Sequence, residues 1–354
     1  MSYRIASFNI QKFTYPGSRD HNIPKRVAKL IIDNRINILA IQEIFNEQAA
    51  QEIVRNLNHN LSEPWNFRWL RSGKDGEGYA CIWNNKSVNL IEKKQDGRVL
   101  ENPQIRNDHK SFVRPPFYIR FTPSNKNLDY EIRIINTHIR FSNHTKIGNQ
   151  DDSESENDLD KIVPEGMVAL RRAEFDELIE MYNDVAIPEG GKDSQKVVYT
   201  ILLGDYNLCL KSSGVGPFLN SIDKNRENIS IQSNSYNYAK TIKTFQSEKT
   251  SFRKVPSDVK SLIESNQIVP EELERQIKLS HNYDHFTFDI DMFGEPTKEP
   301  VPINPIGTEN PTWKQVYDYR KEYSDHLPIV FDFDINHHKV TQVIALGEYK
   351  NVQN

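Results

Sequence analysis

The stretch VVYTILLGDYN, residues 197–207, has the composition of a buried β-strand that ends in polar side chains. Its end carries a carboxylate and an amide, Asp205 and Asn207. Five further stretches share this form: YRIASFN (3–9), INILAIQE (36–43), EIRIINTH (131–138), YDHFTFDID (283–291) and DHLPIVFDF (325–333). In chain order, the first four of the six end with Asn, Glu or His. The last two carry an Asp-His pair at or next to their first residue. We predict six strands whose polar ends carry the chemistry of the protein.

The rest of the chain adds strand and helix signals in loose alternation. Short β-branched or aromatic runs predict further strands at 78–84, 87–91 and 117–122. Apolar residues at helical spacing predict helices at 25–34, 47–58, 165–184 and within 256–280. Because the helices do not alternate strictly with the strands, the pattern favours two packed sheets with helices outside them.

The composition excludes several classes of protein. Hydrophobic residues make up 37% of the 354, enough for a sizeable core, so disorder along the whole length is excluded. No apolar run approaches the roughly 20 residues that a membrane-spanning helix needs. The formal net charge is −4. A nucleic-acid partner therefore requires a local basic patch or a bound cation to offset its phosphate charge.

The cysteine content indicates the redox setting. Cys81 and Cys209 lie in or beside apolar runs, so we predict two buried free thiols and no disulfide framework. Neither belongs to a C-x-x-C pair, which argues against a zinc-thiolate site. The opening residues, MSYRIASFNIQKF, lack the charged region and long apolar run of a signal peptide. We therefore expect a cytoplasmic location.

The sequence contains no G-x-S-x-G nucleophile elbow and no Walker phosphate loop. What remains is a set of oxygen donors and two histidines at the strand ends: Asn9, Glu43, His138, Asp205, Asn207, Asp284, Asp325 and His326. Carboxylates and amides without thiolates suit a hard cation such as Mg²⁺, and histidines suit proton transfer near neutral pH. Each residue alone is an ordinary turn former or surface histidine. Their joint occurrence predicts the attack of water on a phosphodiester.

These motifs resemble the endonuclease/exonuclease/phosphatase superfamily, and its deoxyribonuclease I-like branch in particular. The matching pieces follow the family order: SFNIQKF (7–13), ILAIQEI (38–44), INTHIRF (135–141), LLGDYNL (202–208), NYDHF (282–286) and YSDHLP (323–328). The resemblance covers residues 3–333. It implies a four-layered α/β sandwich, in which two mainly antiparallel β-sheets pack face to face with helices outside and the active site lies at one rim.

The resemblance also implies roles for the metal ligands and the base. Glu43, helped by Asn9, would hold Mg²⁺, with Mn²⁺ as a substitute. Asp325 would reach the metal directly or through water. His326 would be the general base, and Asp284 would orient its imidazole.

The remaining catalytic positions follow from the same resemblance. Asp205 and Asn207 would position the attacking water and the scissile phosphate, or hold a second metal. His138 would face the leaving group or the phosphate. Glu77 matches the carboxylate that partners the first histidine in the deoxyribonuclease I-like branch, so a Glu77–His138 pair is expected to mirror Asp284–His326.

Contacts with the substrate are expected from Arg114 and Tyr79, which match phosphate-binding positions of that branch. Two departures weaken the parallel, since Gln11 and Phe45 stand where the branch carries arginines that contact DNA. The basic residues of the stretch 92–120 could compensate through phosphate contacts. A solvated strand face is the alternative for that stretch.

The length is explained by one catalytic domain over residues 1–335, with inserted loops at 144–164 and 254–281 and a polar tail at 336–354. Residues 151–160, DDSESENDLD, carry six acids and no base. That composition is typical of a solvated loop, and a regulatory or partner-binding segment is the alternative.

The function predicted first is a Mg²⁺-dependent DNA endonuclease of low sequence specificity, with nucleic acid as its partner. The alternative is a phosphatase or phosphodiesterase of the same superfamily that acts on lipid headgroups or small phosphoesters. A catalytically inactive binding module is the third class, and the presence of every catalytic residue type argues against it.

Overall fold

The computed structural model describes residues 2–17, 20–72, 76–92, 94–95, 98–99, 112, 114–139, 165–186, 197–208, 242–246, 249–293, 300–308 and 310–335. Several predictions fall outside these residues: the acidic stretch 151–160, the inserted loop 144–164, Cys209 and the tail 336–354. Most of the basic stretch 92–120 also lies outside them.

The strands and helices that the sequence predicts follow one another along the chain in the predicted order. The described strands are β1 (Ser2–Phe13), β2 (Ile38–Ile44), β3 (Trp65–Arg71), β4 (Gly78–Asn84), β5 (Val88–Leu90), β6 (Lys94–Gln95), β7 (Arg98–Val99), β8 (Phe117–Pro123), β9 (Tyr130–His138), β10 (Val197–Asp205), β11 (Ile242–Gln246), β12 (Asp284–Asp289), β13 (Val301–Pro302) and β14 (Ile329–Asp334). The described helices are α1 (Ile23–Asp33), α2 (Glu47–Asn60), α3 (Glu165–Ala186), α4 (Ser257–Glu264), α5 (Glu271–Glu274), α6 (Ile290–Phe293) and α7 (Trp313–Glu322). Each of the nine strands predicted from the sequence is present.

Twelve of these strands form two six-stranded sheets of similar design. The first sheet has the order β13-β14-β1-β2-β4-β3, and the second has the order β11-β12-β10-β9-β8-β5. Each sheet contains one parallel pair, β1 with β2 and β9 with β10, and all its other neighbours are antiparallel. The prediction of two mainly antiparallel sheets is confirmed.

The two parallel pairs explain the pattern of polar strand ends. Parallel strands present their carboxyl ends at the same edge of a sheet. Asn9 of β1 donates a hydrogen bond to Asp205 of β10 at 2.9 Å, so the carboxyl ends of both pairs meet at one rim. The antiparallel neighbours β12 and β14 begin near that rim, which is why the last two stretches start with their polar residues.

The main core lies between the two sheets. It is built from inward-facing aromatic and branched side chains of both, and its members include Ile38, Trp83, Ile134, Phe286 and Phe331. A polar contact also crosses this layer, since the hydroxyls of Tyr3 and Tyr130 are 2.6 Å apart. Burial of this apolar surface is the main force that holds the sheets face to face.

Helices cover the outer faces of both sheets. The apolar sides of α1 and α2 pack on the first sheet through residues such as Val27, Ile31 and Ile53. The second sheet is covered by α3, through Phe175 and Leu178. The described layers are therefore helix, sheet, sheet, helix, and the predicted four-layered α/β sandwich is confirmed.

A smaller apolar cluster lies beside the sandwich. It joins α4, from the predicted insertion 254–281, to α7 through Val259, Ile263 and Trp313. The sequence reasoning did not predict α7, although its start carries a capping box in which Thr312 and Gln315 bond to each other's backbone N–H groups. Whether 254–281 is an insertion into one domain stays a prediction.

Cys81 is a buried free thiol, as predicted. Its burial raises the pKa of the thiol, since the charged thiolate is not solvated in the core. Within the described part of the chain, none of the helices has the length and apolar character to span a membrane.

Replacing Gly204 with alanine is expected to disrupt the sheet that carries the site. Gly204 has φ +138°, and a Cβ there would lie 2.0 Å from the carbonyl oxygen of Thr137 on β9. We expect a loss of about 1–3 kcal/mol from backbone strain and a similar loss from overpacking. Urea unfolding of the Gly204→Ala protein measures this loss in the free energy of unfolding. Gly307→Ala is the matched control, because Gly307 also has positive φ, at +79°, but no atom lies within 4 Å of its Cβ position. Equal losses in the two variants would contradict the steric explanation.

Candidate active site

Asn9 and Glu43 lie at the carboxyl ends of the parallel strands β1 and β2. The Asn9 amide nitrogen donates to Glu43 Oε1 at 3.0 Å and to Asp205 Oδ2 at 2.9 Å. Both acceptors are carboxylates, so the amide nitrogen must face them, and the Asn9 oxygen accepts from the Gln11 N–H at 3.0 Å. Asn9 therefore bridges the two sheets and orients two carboxylates. Its predicted role as a metal ligand stays a prediction.

An irregular turn of β1 supports this arrangement. Gln11 and Lys12 have φ values of +50° and +48°, and the pairing register with β2 shifts between Asn9 and Phe13. Non-glycine residues adopt this conformation only where the surroundings compensate. Here the N–H groups of Gln11 and Lys12 bond to Asn9 and to Glu43 Oε2, the second at 2.9 Å. The strained turn thus fixes the Glu43 carboxylate.

Glu43 itself carries the electrostatic signature of a crowded carboxylate. Burial raises its pKa, the nearby charges of Glu77 and Asp325 raise it further, and His138 opposes them. Its side chain keeps 14% of its surface exposed. A bound cation would relieve the repulsion among these carboxylates.

The first histidine pairs with Glu77, as predicted. His138 Nδ1 is 2.6 Å from Glu77 Oε1. Burial lowers the pKa of His138, but the charge and hydrogen bond of Glu77 outweigh it, and the pKa is raised. Tyr79 is fully buried, and its hydroxyl accepts the His138 backbone N–H at 3.0 Å. In this structure Tyr79 holds the histidine backbone, and its contact with phosphate stays a prediction.

The second histidine pairs with Asp284, again as predicted. His326 Nδ1 is 2.8 Å from Asp284 Oδ2, and Asp284 is fully buried. Burial lowers the pKa of His326, but the charges of Asp284 and Asp205 outweigh it and hold the pKa well above its usual range. The Asp284 carboxylate also fixes the ring orientation, leaving Nε2 directed at the site.

Asp205 lies between the two histidines. Its Oδ2 is 3.7 Å from His138 Nε2 and 3.7 Å from His326 Nε2. Its Oδ1 accepts the N–H of Asn207, whose φ is +48° and whose side chain donates to the Ile139 carbonyl at 2.7 Å. The two carboxylate–histidine pairs therefore converge on one central carboxylate.

Asp325 lies at the more exposed side of the site. Its Oδ2 accepts from Gln11 Nε2 at 2.8 Å and is 3.5 Å from Arg320 Nη2. Ser324, the residue before it, donates to the Asn9 carbonyl at 2.7 Å. Gln11 is therefore engaged with the carboxylate of the site.

Arg114 reaches the first pair. Its Nη2 is 2.7 Å from Glu77 Oε2, and its Nη1 is 3.1 Å from His138 Nδ1. Its side chain is 12% exposed. The predicted phosphate-binding arginine is thus held at the site by a carboxylate, and its contact with phosphate stays a prediction.

The donor set fits a hard divalent cation. Glu43 and Asp325 offer carboxylate oxygens on one side, and Asp205, Asp284 and His326 form a second group whose ligand atoms lie within 4.8 Å of one another. Oxygen donors with few nitrogens are typical of Mg²⁺ or Mn²⁺ sites.

Sequence reasoning missed Arg171, which lies on α3. Its Nη1 donates to the Asn207 carbonyl at 3.0 Å, and its side chain is buried. Burial lowers its pKa, while the charge of Asp205 opposes that effect. No motif marks this residue, because one arginine in a long amphipathic helix is usually exposed.

His285 is expected to make stability depend on pH. It is fully buried, and burial lowers its pKa from 6.5 to about 4. Because the buried His285 ring stays neutral in the folded state, the unfolded state binds more protons between about pH 4 and 6.5. The free energy of unfolding is therefore highest above about pH 6.5 and decreases as the pH falls toward 4. The span corresponds to about 3 kcal/mol. We expect His285→Gln to flatten the pH dependence of urea unfolding between pH 4 and 6.5, and the exposed His59→Gln to leave it unchanged. A variant curve parallel to the wild type would contradict the assignment.

No protein-family model and no curated protein sequence matches the chain. Solved structures do. The endonuclease/exonuclease/phosphatase from Bacteroides vulgatus is 11% identical with a TM-score of 0.49, over 95% of this chain and 100% of that chain. The family member from Bacteroides thetaiotaomicron is 12% identical with a TM-score of 0.46, over 95% and 98%. TDP2 from D. rerio, complexed with a single-strand DNA product, is 11% identical with a TM-score of 0.46, over 94% and 99%.

Two of these solved structures bear the name endonuclease/exonuclease/phosphatase. By its own strand order and layers, the protein is a four-layered α/β sandwich with two six-stranded sheets.

Proposed function

We propose that the protein is a Mg²⁺-dependent phosphodiesterase, and more narrowly a DNA endonuclease of low sequence specificity. One observation carries this: two carboxylate-backed histidines, Glu77–His138 and Asp284–His326, converge on Asp205 beside the Glu43 carboxylate. Hydrolysis of a phosphodiester needs a base for water, a group for the leaving oxygen and positive charge for the phosphate. The arrangement supplies a candidate for each.

His326 is the proposed general base. Asp284 holds Nδ1, so Nε2 is free to take the proton of a water placed near Asp205. The base must be neutral, whereas the surrounding carboxylates raise the pKa of His326. A cation bound among those carboxylates would oppose that rise, because it would offset the charges that cause it.

The other side of the site serves the phosphate and the leaving oxygen. His138, with its pKa raised by Glu77, is suited to donate a proton or hydrogen bond there. Arg114 is within reach of the same place and can exchange Glu77 for a phosphate oxygen. Asn207 and Asp205 hold the water and the phosphate in line.

Glu43 and Asp325 are the proposed ligands of the cation, with Asn9 orienting Glu43. Asp205 and Asn207 are the proposed place of a second ion. At these residues a bound divalent cation would supply positive charge to the phosphate oxygens.

DNA with weak sequence preference is the proposed substrate. Gln11 is bonded to Asp325 in place of a DNA-contacting arginine, which leaves fewer groups for reading a sequence. Contacts with phosphates carry affinity without sequence information. Arg114 is the described arginine that we place at the scissile phosphate.

One incubation series tests the proposal. Purified protein is mixed with supercoiled plasmid, linear DNA, RNA, a sphingolipid and an inositol phosphate, with Mg²⁺ or with EDTA. We expect cleavage of DNA with Mg²⁺ and none with EDTA. A clear preference for the lipid or the inositol phosphate would move the protein to the alternative class.

The salt dependence of DNA binding tests Arg114. Loss of one phosphate contact reduces the slope of log K against log salt by about 0.9 on duplex DNA. We expect that reduction for Arg114→Gln, measured by fluorescence anisotropy with the His326→Ala protein to prevent cleavage. Arg4→Gln is the control, because Arg4 pairs with Asp332 near the start of β1. An unchanged slope in Arg114→Gln would show that Arg114 does not contact phosphate.

A further inference from the structure

A pair of stacked aromatic rings lies directly before Asp284 and has no part in the roles given above. The rings of His281 and Tyr283 have centroids 4.7 Å apart and planes within 7° of each other. Both side chains are partly exposed. The residue after Tyr283 is Asp284, so the stack lies one residue before the carboxylate that orients the proposed base His326.

The backbone of this pair is fixed from two sides of the site. The Tyr283 carbonyl accepts the N–H of Tyr206, which lies between Asp205 and Asn207, at 2.8 Å. The Tyr283 N–H donates to Thr250 Oγ1 at 3.3 Å. One side of the stack is therefore tied to the segment that carries the central carboxylate.

A second set of backbone hydrogen bonds connects the stack to the segment that carries the general base, His326. The His281 carbonyl accepts the N–H groups of Thr250 and Ser251, at 2.8 and 3.0 Å. Ser251 in turn forms an antiparallel bridge with His326. Because both ring-bearing residues are held by these bonds, the stack needs little ordering when it meets a ligand, and a rigid surface binds at a lower entropic cost.

A buried cation accompanies the rings. The Arg171 guanidinium donates to the Asn207 carbonyl, in the same segment whose Tyr206 N–H bonds to the Tyr283 carbonyl. The surroundings of the stack thus combine aromatic faces with positive charge. Proteins that bind single-stranded nucleic acid use this combination, with bases stacked on aromatic rings and the backbone held by cations.

We propose that the His281–Tyr283 stack is a subsite for a nucleobase of single-stranded nucleic acid, next to the phosphodiester that is cleaved. The position of that phosphodiester rests on the proposed function. A base offers its face to such a platform only where it is unstacked from its neighbours, as in single strands and frayed ends. Stacking accepts any base, which agrees with weak sequence preference.

Binding of two strands of equal charge tests the subsite. The full-length His326→Ala protein is titrated, in Mg²⁺, against a labelled strand of twelve deoxythymidylates and against the same sugar-phosphate strand without bases. One stacked base is worth about 1–3 kcal/mol, which is a preference of roughly 5- to 150-fold for the strand with bases. We expect Tyr283→Ala to remove that preference and Tyr283→Phe to keep it.

Two controls keep the test interpretable. Tyr317→Ala removes a partly exposed tyrosine on α7 whose hydroxyl bonds to Glu264, and it should keep the preference. Thermal unfolding checks each variant. If Tyr283→Ala does not fold, Tyr283→Leu and His281→Ala replace it, because both remove a flat ring and leave the other side chain in place.

The possible outcomes separate the subsite from the enzyme. Equal affinity for the two strands overturns the subsite, and so does a preference that survives Tyr283→Ala and Tyr283→Leu. The wild-type protein is also assayed on bis(p-nitrophenyl) phosphate with Mg²⁺. Hydrolysis without a preference for bases leaves the proposed function intact and removes the subsite. A preference for bases that depends on Tyr283, without hydrolysis of any phosphodiester, supports the subsite and overturns the proposed function.

Discussion

Replacing His326 with alanine is expected to slow the cleavage of plasmid DNA by about 10²–10⁴-fold, the usual contribution of a positioned acid or base. The imidazole is held by Asp284 at 2.8 Å and directs its other nitrogen at Asp205, 3.7 Å away. Alanine removes the proton acceptor and leaves the carboxylates in place. Initial rates of supercoil relaxation with Mg²⁺ give the loss directly.

Asp284→Asn is expected to lose much of the same rate, because an amide neither holds the imidazolium charge nor fixes the ring in the same way. His59→Ala, at an exposed position of α2, is the matched control for replacing a histidine, and its rate should stay unchanged. Urea unfolding shows whether each variant is folded. Near-normal turnover by a folded His326→Ala protein would assign the base to another residue.

Replacing Glu43 with glutamine is expected to remove both cation binding and activity. The carboxylate is fixed by Asn9 and by the Lys12 N–H, and the neighbouring negative charges favour a cation. Loss of an outer-shell partner of a metal costs about 10- to 100-fold in affinity or activity, and loss of a direct ligand should exceed that. Titration of Mn²⁺ followed by electron paramagnetic resonance measures the binding without any reaction.

Glu63→Gln is the control for Glu43→Gln. Glu63 is a carboxylate bonded to Asn84 and Lys86, outside the site described here. It should leave Mn²⁺ affinity and DNA cleavage unchanged. Full activity in EDTA, or unaltered Mn²⁺ binding by Glu43→Gln, would refute the metal proposal.

Much of the fold could be predicted because the signals are local. Buried strands need β-branched and aromatic residues, and their ends need polar residues, so composition alone marks β1, β2, β9, β10, β12 and β14. The elements that were not predicted have weaker local signals. The edge strand β3 mixes polar residues with two tryptophans, and β11 is a short edge strand of mixed composition. An edge strand buries less surface, so it needs fewer apolar residues and its strand pattern is weaker in the sequence.

The residue types of the candidate site were also visible in the sequence, because chemistry restricts them. A hard cation calls for carboxylates, and proton transfer near neutral pH calls for histidine. The resemblance to a known family then paired Glu77 with His138 and Asp284 with His326, and the structure has both pairs in hydrogen-bond contact. Their catalytic roles stay predictions.

Distances across the chain were not visible, since they depend on how the two sheets meet. Asp205 lies 3.7 Å from both histidines because β10 pairs with β9 on one side and β12 on the other, and because the two sheets close over Asn9. The turn at Gln11 and Lys12 adopts positive φ without glycine, which local preference disfavours and tertiary hydrogen bonds compensate.

The sequence by itself thus determined nine of the described strands, their order and the kinds of side chain at the ends of six of them, because each depends on a few neighbouring residues. Only the tertiary structure decided that Gln11 bonds to Asp325, that Arg171 lies beneath Asn207 and that two rings stack before Asp284. Each of these contacts joins segments that are far apart in the chain or stacks rings by their orientation. They form where packing of the core brings the strand ends together, and the local sequence pattern does not predict which strand ends come into contact.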